Sequence, residues 1–312
     1  MHIRPTLIRT SAVALLVGAL TLAGTAGAAF AAPGDAGFLG TAESFSVLAG
    51  SEVTNSGAGT FLPGDLGVSP GTALTGFAPS NLGGASYSAG PVALTAQGDV
   101  TTAANALMAV PSYDVGAANL GGFTYVAGSY SSATSLDHTG TITLQGDADD
   151  VFIFTAVSTL TTAAGADFAF IGPVQACNVF WRVGSSASIG TGAAFVGTVI
   201  AQASVTVGTD ATVEGRLFAQ TAAVTLLNNV FTAPGCVGGG DGTQLGTFVA
   251  PVDTVDGTPR PTITTPAATA PGPVLPATGA AETVTAAEGA LLAVLLGVAF
   301  LSFALRREQR RS

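Results

Sequence analysis

The sequence predicts a mainly β fold, a solenoid of stacked coils with a single helix beside it. The first observation is a repeat with a step of eighteen residues between Phe180 and Phe231. The second is that every column of this repeat is apolar or small. The columns are Trp181, Val199, Leu217; Val183, Ala201, Ala219; Ala187, Val205, Ala223; and Phe195, Val213, Phe231, with Gly197 aligned to Gly215. A fixed period of this kind is typical of coils that bury one another's faces by stacking.

One strand of each coil presents hydroxyl side chains. Residues 157–162 align with 184–189 once an insertion of nine residues around 172–178 is allowed. Alternate residues of a strand point to opposite sides. The inward residues are then predicted to be Leu160, Ala187, Val205 and Ala223. Two outward columns follow, Thr159, Ser186, Ser204, Ala222 and Thr161, Ser188, Thr206, Val224, and Ala222 and Val224 end them.

The other strand of each coil requires a cover. Its outward candidates, Ile200 and Phe218, are as apolar as its inward residues. Residues 94–109 carry alanine, leucine and methionine at helical spacing, and Pro111 ends the pattern. We therefore predict one helix, packed along the solenoid over the strands that carry Ile200 and Phe218.

The two ends predict export and attachment. Residues 1–31 have the basic start, apolar run and small-x-small ending of a secretory signal peptide. Near the carboxyl end an LPATG pentapeptide precedes an apolar segment at 289–305 and a basic tail at 306–312. The pentapeptide is Leu275, Pro276, Ala277, Thr278 and Gly279.

This order resembles a cell-wall sorting signal. The resemblance implies that the apolar segment is a transmembrane helix that inserts transiently, with its arginines in the cytoplasm. A sortase then cleaves after Thr278 and joins Thr278 to peptidoglycan, which places the protein on a Gram-positive-type cell surface. The alternative is a simple membrane anchor.

Composition bounds the remaining chain. Residues 33–236 have the size of one domain, and 237–274 are a Gly-, Thr- and Pro-rich linker. Residues 32–278 contain three arginines and sixteen acidic residues, which gives a formal net charge of −13. This balance excludes a nucleic-acid partner. Cys177 and Cys236 are expected to pair as a disulfide in an exported chain, and a free reactive cysteine is the alternative.

Several blocks of sequence resemble the secreted ice-binding proteins of the DUF3494 type. They are LGTA (39–42), FSVLAG (45–50), GDLGVSPGT (64–72), NLGG (119–122), VFIF (151–154), STLTT (158–162), CNVFW (177–181) and AVTL (223–226). The resemblance implies a right-handed triangular β-solenoid, with the helix on one face and a flat exposed face on another. It also implies an ice crystal surface as the partner of a monomer without a cofactor.

Many members of that family mark the ice face with Thr-Ala/Gly-x-Thr/Asn on successive coils. In register, this chain has fragments of the motif at 164–167, 191–194 and 209–212, and Asp167 and Asp210 would place carboxylates on or beside the face. The predicted ice-binding residues are Thr159, Thr161, Ser186, Ser188, Thr191, Ser204, Thr206, Thr209 and Thr212.

Catalysis is the weaker hypothesis. Asp147, Asp149 and Asp150 form the only dense acidic group, and their spacing indicates a turn rather than a calcium site. His138 follows Asp137, but no nucleophile motif accompanies the pair. We therefore predict a protein that is not an enzyme and holds no metal. The alternative function is a wall-anchored adhesin or a structural surface module without ice activity.

Overall fold

A computed structural model describes residues 31–34, 37–116, 118–236 and 252–253. The predicted signal peptide up to residue 30, the sorting motif, the apolar segment at 289–305 and the basic tail lie outside these residues. Among the helices in the described ranges, none is long and apolar enough to cross a membrane.

The described chain consists of short strands and one long helix. The strands are β1 (Phe45–Ala49), β2 (Glu52–Asn55), β3 (Asp65–Val68), β4 (Ala73–Thr75), β5 (Ser86–Ser88), β6 (Tyr113–Asp114), β7 (Ala118–Asn119), β8 (Phe123–Val126), β9 (Gly128–Ser132), β10 (Leu136–His138), β11 (Thr141–Gln145), β12 (Phe152–Ala156), β13 (Leu160–Thr162), β14 (Asp167–Ile171), β15 (Val179–Val183), β16 (Ala187–Ile189), β17 (Ala194–Ala201), β18 (Val205–Val207), β19 (Thr212–Ala219), β20 (Val224–Leu226), β21 (Val230–Thr232) and β22 (Val252–Asp253). The helix α1 is Pro91–Ala109, and the short 3-10 helices are Gly40–Ser44, Pro79–Asn81 and Ala176–Asn178.

The strands form three sheets, as expected for a triangular solenoid. The first sheet has the order β5-β3-β1-β19-β17-β15-β12-β9-β6, and β21 pairs with the start of β19. The second sheet has the order β4-β2-β20-β18-β16-β13-β10-β7, and the third has the order β14-β11-β8-β22. Neighbouring strands are parallel in every named pairing except that of β22 with β8.

The coils do not stack in chain order. Strand β1 pairs with β19, so the first coils of the chain lie on the last regular one and extend the stack through β3 to β5. The chain must then return to the opposite end, where β6 begins the remaining coils. Helix α1 makes this return, since its residues span about 28 Å at about 1.5 Å per residue. It contacts β3 and β5 near one end and β12 and β15 farther along.

Helix α1 covers the apolar outer surface of the first sheet, as the sequence predicts. Its buried face is mostly alanine, and its buried residues are Ala93, Ala96, Gln97, Val100, Ala103, Ala104 and Leu107. The apolar residues of this face share a core cluster with Ile153, Phe180, Ile200 and Phe218. The helix begins at Pro91, three residues earlier than predicted, because proline fits the first helical position, where no hydrogen-bond donor is needed.

The repeat of eighteen describes the first sheet correctly but slips in the second. Trp181, Val199 and Leu217 lie side by side as predicted. Val205, however, pairs with Val224 rather than with Ala223. The connection between β19 and β20 is therefore one residue longer than its equivalents. Val224 is fully buried, so its predicted outward position is wrong and Thr225 points outward instead.

Gly197 is where the long strand β17 passes from one face of the solenoid to the next. Its φ is +104°, and an added Cβ would meet the carbonyl oxygen of Val179 at 2.5 Å. Glycine is the residue that adopts this angle and permits this approach. Inside the coils Trp181 stacks on Phe154 with ring centroids 4.3 Å apart, and its indole N–H donates to the Val196 carbonyl at 2.9 Å.

Two contacts hold the residues at the carboxyl end of the domain, a disulfide and a strand pairing. Cys177 and Cys236 form a disulfide with Cα atoms 5.8 Å apart. Farther along, β22 pairs with β8, so the segment predicted as a linker, 237–274, contains a strand.

Candidate functional site

The outer surface of the second sheet repeats one pattern of burial. Strands β10, β13, β16 and β18 each have a buried, an exposed and a buried residue, and β20 has the same pattern with a half-buried centre. The inward residues Leu160, Ala187, Val205 and Val224 are at most 3% exposed. Each strand therefore holds its central side chain toward solvent at the same place in the coil.

These central side chains form one column across the stack, together with the residues of β4, β2 and β7 that are in register with them. In spatial order they are Thr75, Thr54, Thr225, Thr206, Ser188, Thr161, Asp137 and Asn119. The first six, from β4 to β13, are all threonine or serine. We call these six residues the hydroxyl column.

A second column lies two residues earlier on each coil, in most coils just before the strand begins. The register aligns Glu52, Ala223, Ser204, Ser186, Thr159 and Ser135 in this column, in spatial order. Adjacent hydroxyls contact each other: Ser204 Oγ donates to Ser186 Oγ at 2.9 Å, and the Ser135 and Thr159 hydroxyl oxygens are 2.8 Å apart. We call the two columns together the hydroxyl face.

Three threonines of the hydroxyl face were not identified from the sequence. The alignment ended the columns at Ala222 and Val224, whereas the structure continues the hydroxyl column through Thr225, Thr54 and Thr75. Thr225 was missed because of the extra residue before β20. Thr54 and Thr75 were missed because the first coils of the chain stack after the last one.

The remaining predicted ice-binding residues lie beside the hydroxyl face or beyond it. Thr191 and Thr209 are exposed at the corner that follows the second sheet. Thr212 begins β19, where it aligns with Ala194 and Val230 on the adjoining face. The nine predicted residues therefore divide between one face, its corner and a second face.

The carboxylates of Asp167 and Asp210 do not interrupt the hydroxyl face. Asp167 begins β14 and pairs with Thr141 in the third sheet. Asp210 lies at the corner with φ of +59°, and its Oδ1 accepts from Asn228 Nδ2 at 2.5 Å. Of the two expected positions, on the face or beside it, both residues take the second: Asp167 lies in the adjoining sheet and Asp210 at the corner.

His138 and Asp137 point to opposite sides of β10, so their side chains do not face a common site. Asp137 points outward in the column, whereas His138 points inward and is fully buried. His138 Nε2 lies 3.0 Å from the Asp167 carbonyl oxygen, and the ring meets Phe168 edge to face. Burial lowers the pKa of His138, because the charged imidazolium loses its hydration, while the Asp167 carbonyl opposes the shift.

The dense acidic group forms a turn between β11 and β12. The Asp147 backbone N–H donates to Asp150 Oδ2 at 2.8 Å, and the Ala148 carbonyl accepts from the side-chain amides of Gln175 and Asn178. In the described ranges, no group of three histidine, cysteine or acidic side chains is arranged to hold a metal ion.

Comparisons with known proteins agree in one description. The family model described as Ice-binding-like matches residues 47–232. The ice-binding protein of Nostoc sp. strain HG1 is 42% identical over 195 residues, which cover 61% of this chain and 72% of that protein.

Two crystal structures are similar over most of their length. The ice-binding protein from an Antarctic biological consortium has a TM-score of 0.59 and 42% identity, covering 62% of this chain and 90% of that one. The ice-binding protein of the Antarctic ascomycete Antarctomyces psychrotrophicus has a TM-score of 0.60 and 37% identity, covering 63% and 98%.

Proposed function

This chain belongs to the Ice-binding-like family, and on that premise we propose that it binds ice crystals through the hydroxyl face. The observation that carries the proposal is the uninterrupted column of six threonine and serine side chains from Thr161 to Thr75. The function is surface adhesion to ice or inhibition of ice recrystallisation, without catalysis.

Spacing explains how such a column recognises ice. Backbone hydrogen bonds hold neighbouring strands about 4.8 Å apart, and the two columns are about 7 Å apart because two residues of a strand separate them. Hydroxyl and methyl groups on this grid hold water molecules in a fixed array that merges with a growing crystal plane. Because the backbone ladder sets the positions, little side-chain order has to be created on binding.

The charge of the face supports the same function. Between β13 and β20 both columns contain only threonine, serine and alanine. The carboxylates lie outside this central part, with Glu52 in β2, next to the terminal strand β4, and Asp137 in β10, next to the terminal strand β7. Carboxylates organise water radially, so a neutral centre between the two carboxylates favours an ice-like array in the middle of the face.

Two tyrosine substitutions, placed on different faces of the solenoid, test the proposal. Thr206 and Thr212 are both exposed threonines, but Thr206 lies in the hydroxyl column and Thr212 on the adjoining face. In the secreted chain 32–274, Thr206→Tyr is expected to weaken inhibition of ice recrystallisation by about tenfold, equivalent to about 1.4 kcal/mol. Thr212→Tyr should leave it unchanged.

Melting temperature serves as the control for both variants, because neither substitution enters the core. Loss of activity only in Thr212→Tyr would move the ice site to the adjoining face. A wild-type domain with no more effect on recrystallisation than serum albumin at equal concentration would leave the adhesin or surface module as the function.

We further propose that the protein is displayed on the cell wall as a monomer. The order of pentapeptide, apolar segment and arginine-rich tail supports this, together with the signal peptide pattern at the other end. Muramidase-released wall fragments are expected to contain Thr278 linked to the peptide bridge of peptidoglycan. Membrane fractions that retain the full chain through residue 312 would contradict sorting.

A further inference from the structure

Strand β8 lies where the third sheet would otherwise end. The backbone N–H of Gly122, just before β8, points toward β11 and donates to the Thr141 carbonyl at 2.7 Å. Thr124 pairs with Thr143 in the same ladder. Backbone groups alternate in direction along a strand, so the N–H and C=O groups of Phe123 and Tyr125 point to the opposite edge. Such an edge is a template for a further strand.

The strand at that edge comes from the segment after the domain. Val252 pairs with Thr124 and Asp253 with Phe123, in the antiparallel direction. Because the backbone groups of Phe123 face this edge, the Phe123–Asp253 pair is the hydrogen-bonded one. This antiparallel pairing contrasts with the parallel coils, so β22 is an added strand rather than a further coil.

The sequence around β22 suits an added edge strand. Thr247, Phe248, Val249, Val252 and Val255 are residues with high strand propensity, within a segment that is otherwise glycine, threonine and proline. Pro251 precedes β22, and edge strands tolerate proline because one side of the strand makes no ladder bonds. Residues 237–251 connect β22 to Cys236, and their extended reach of about 50 Å is ample.

We propose that the pairing of β22 with the edge of β8 persists in solution as a docked strand, and that it fixes where the chain leaves the domain. The exit lies at the end of the solenoid formed by β7 and β8, since Asp253 pairs with Phe123. The hydroxyl column begins beyond that end and runs away from it to β4.

A proline substitution tests the docking. In the chain 32–274, Asp253→Pro removes the N–H that pairs with the Phe123 carbonyl, and Asp241→Pro makes the same chemical change in the glycine-rich part of the linker. Amide hydrogen exchange at Phe123 and Tyr125 is expected to be at least about tenfold faster in Asp253→Pro, because the covering strand is lost. The Asp241→Pro variant should exchange like wild type.

A spin label tests the exit point directly. A nitroxide on Val255→Cys is expected to broaden the amide resonances of Asn119, Leu120 and Thr124. It should leave those of β4 sharp, since seven strand spacings, about 34 Å, separate β7 from β4. Asp253→Pro in the labelled chain should remove the broadening.

Equal exchange at Phe123 and Tyr125 in wild type and Asp253→Pro would overturn the docking, as would a label that broadens β4 as much as β7. Both measurements are made without ice and without cell wall. Their outcome is therefore independent of the recrystallisation assay and of the analysis of Thr278.

Discussion

At the corner beside the hydroxyl face, a positive backbone φ angle limits which residue types can be accommodated. Gly140, Gly165, Gly192, Asp210 and Asn228 all have φ between +57° and +82°. Glycine adopts this region freely, and aspartate and asparagine are the side chains that tolerate it best. Asp210 is thus explained by its backbone and by its hydrogen bond to Asn228, and its presence does not argue against an ice face.

His138 was a candidate for a catalytic role from the sequence, but the structure places it in the core. The sequence placed it beside Asp137 as half of a catalytic pair without a nucleophile. The structure turns the two side chains to opposite sides of the strand, because strand residues alternate. His138 consequently belongs to the core, and its titration affects folding rather than chemistry.

Acid is expected to destabilise the domain through His138. Burial lowers the pKa of the folded-state imidazole below its ordinary value of 6.5, so the unfolded chain binds the proton more readily. The contribution of neutral, buried His138 to the free energy of unfolding is therefore fully present above about pH 6.5, and it decreases as the pH falls below that value. Melting temperatures between pH 8 and pH 5 should fall in wild type and stay flatter in His138→Gln.

Asp137→Asn is the matched control for this pH dependence, since Asp137 is the exposed neighbour of His138. It should retain the wild-type slope between pH 8 and pH 5. The same slope in His138→Gln would assign the acid sensitivity to another group.

At the scale of elements, helix α1 fits the first sheet because its buried face is narrow. Alanines at Ala93, Ala96, Ala103 and Ala104 bring the helix close to the apolar strands. Its position also follows from connectivity, since the chain has to travel from β5 to β6 across the whole stack. Helical spacing predicted the helix, and the apolar outer surface of the strands predicted where it packs. The direction in which the helix runs along the stack could be known only from the spatial order of the coils.

Enlarging the buried face of α1 should loosen this contact. Ala103 is 1% exposed, so Ala103→Leu has no space to enter and is expected to destabilise the domain by about 1–3 kcal/mol. Ala109→Leu adds the same side chain at an exposed position at the end of the helix. Urea denaturation of both variants measures the difference, and equal midpoints would show that α1 is not packed as described.

Across the whole molecule, the length of the hydroxyl column depends on how the two halves of the chain stack. Thr54 and Thr75 come from the first coils, and Thr161, Ser188 and Thr206 from the later ones. The pairing of β2 with β20 joins them into one surface. In chain order the hydroxyl column extends over three successive coils, whereas in the folded stack it extends over six.

Extending the column should strengthen ice binding. Asp137→Thr replaces the carboxylate next to Thr161 and adds a seventh hydroxyl in register. Inhibition of recrystallisation is expected to improve by about twofold, equivalent to about 0.4 kcal/mol. Asp149→Thr makes the same change in the exposed turn and should have no effect, so improvement in both variants would indicate an effect of net charge instead.

The sequence by itself determined the class of fold, the covered strand surface and most inward residues of the regular coils. These follow from local alternation and from a period repeated along the chain, which each segment carries within itself. Only the tertiary structure decided which residues share the hydroxyl face. Stacking is set by the pairing of distant strands, and one extra residue before β20 or one coil placed out of order changes which side chains align.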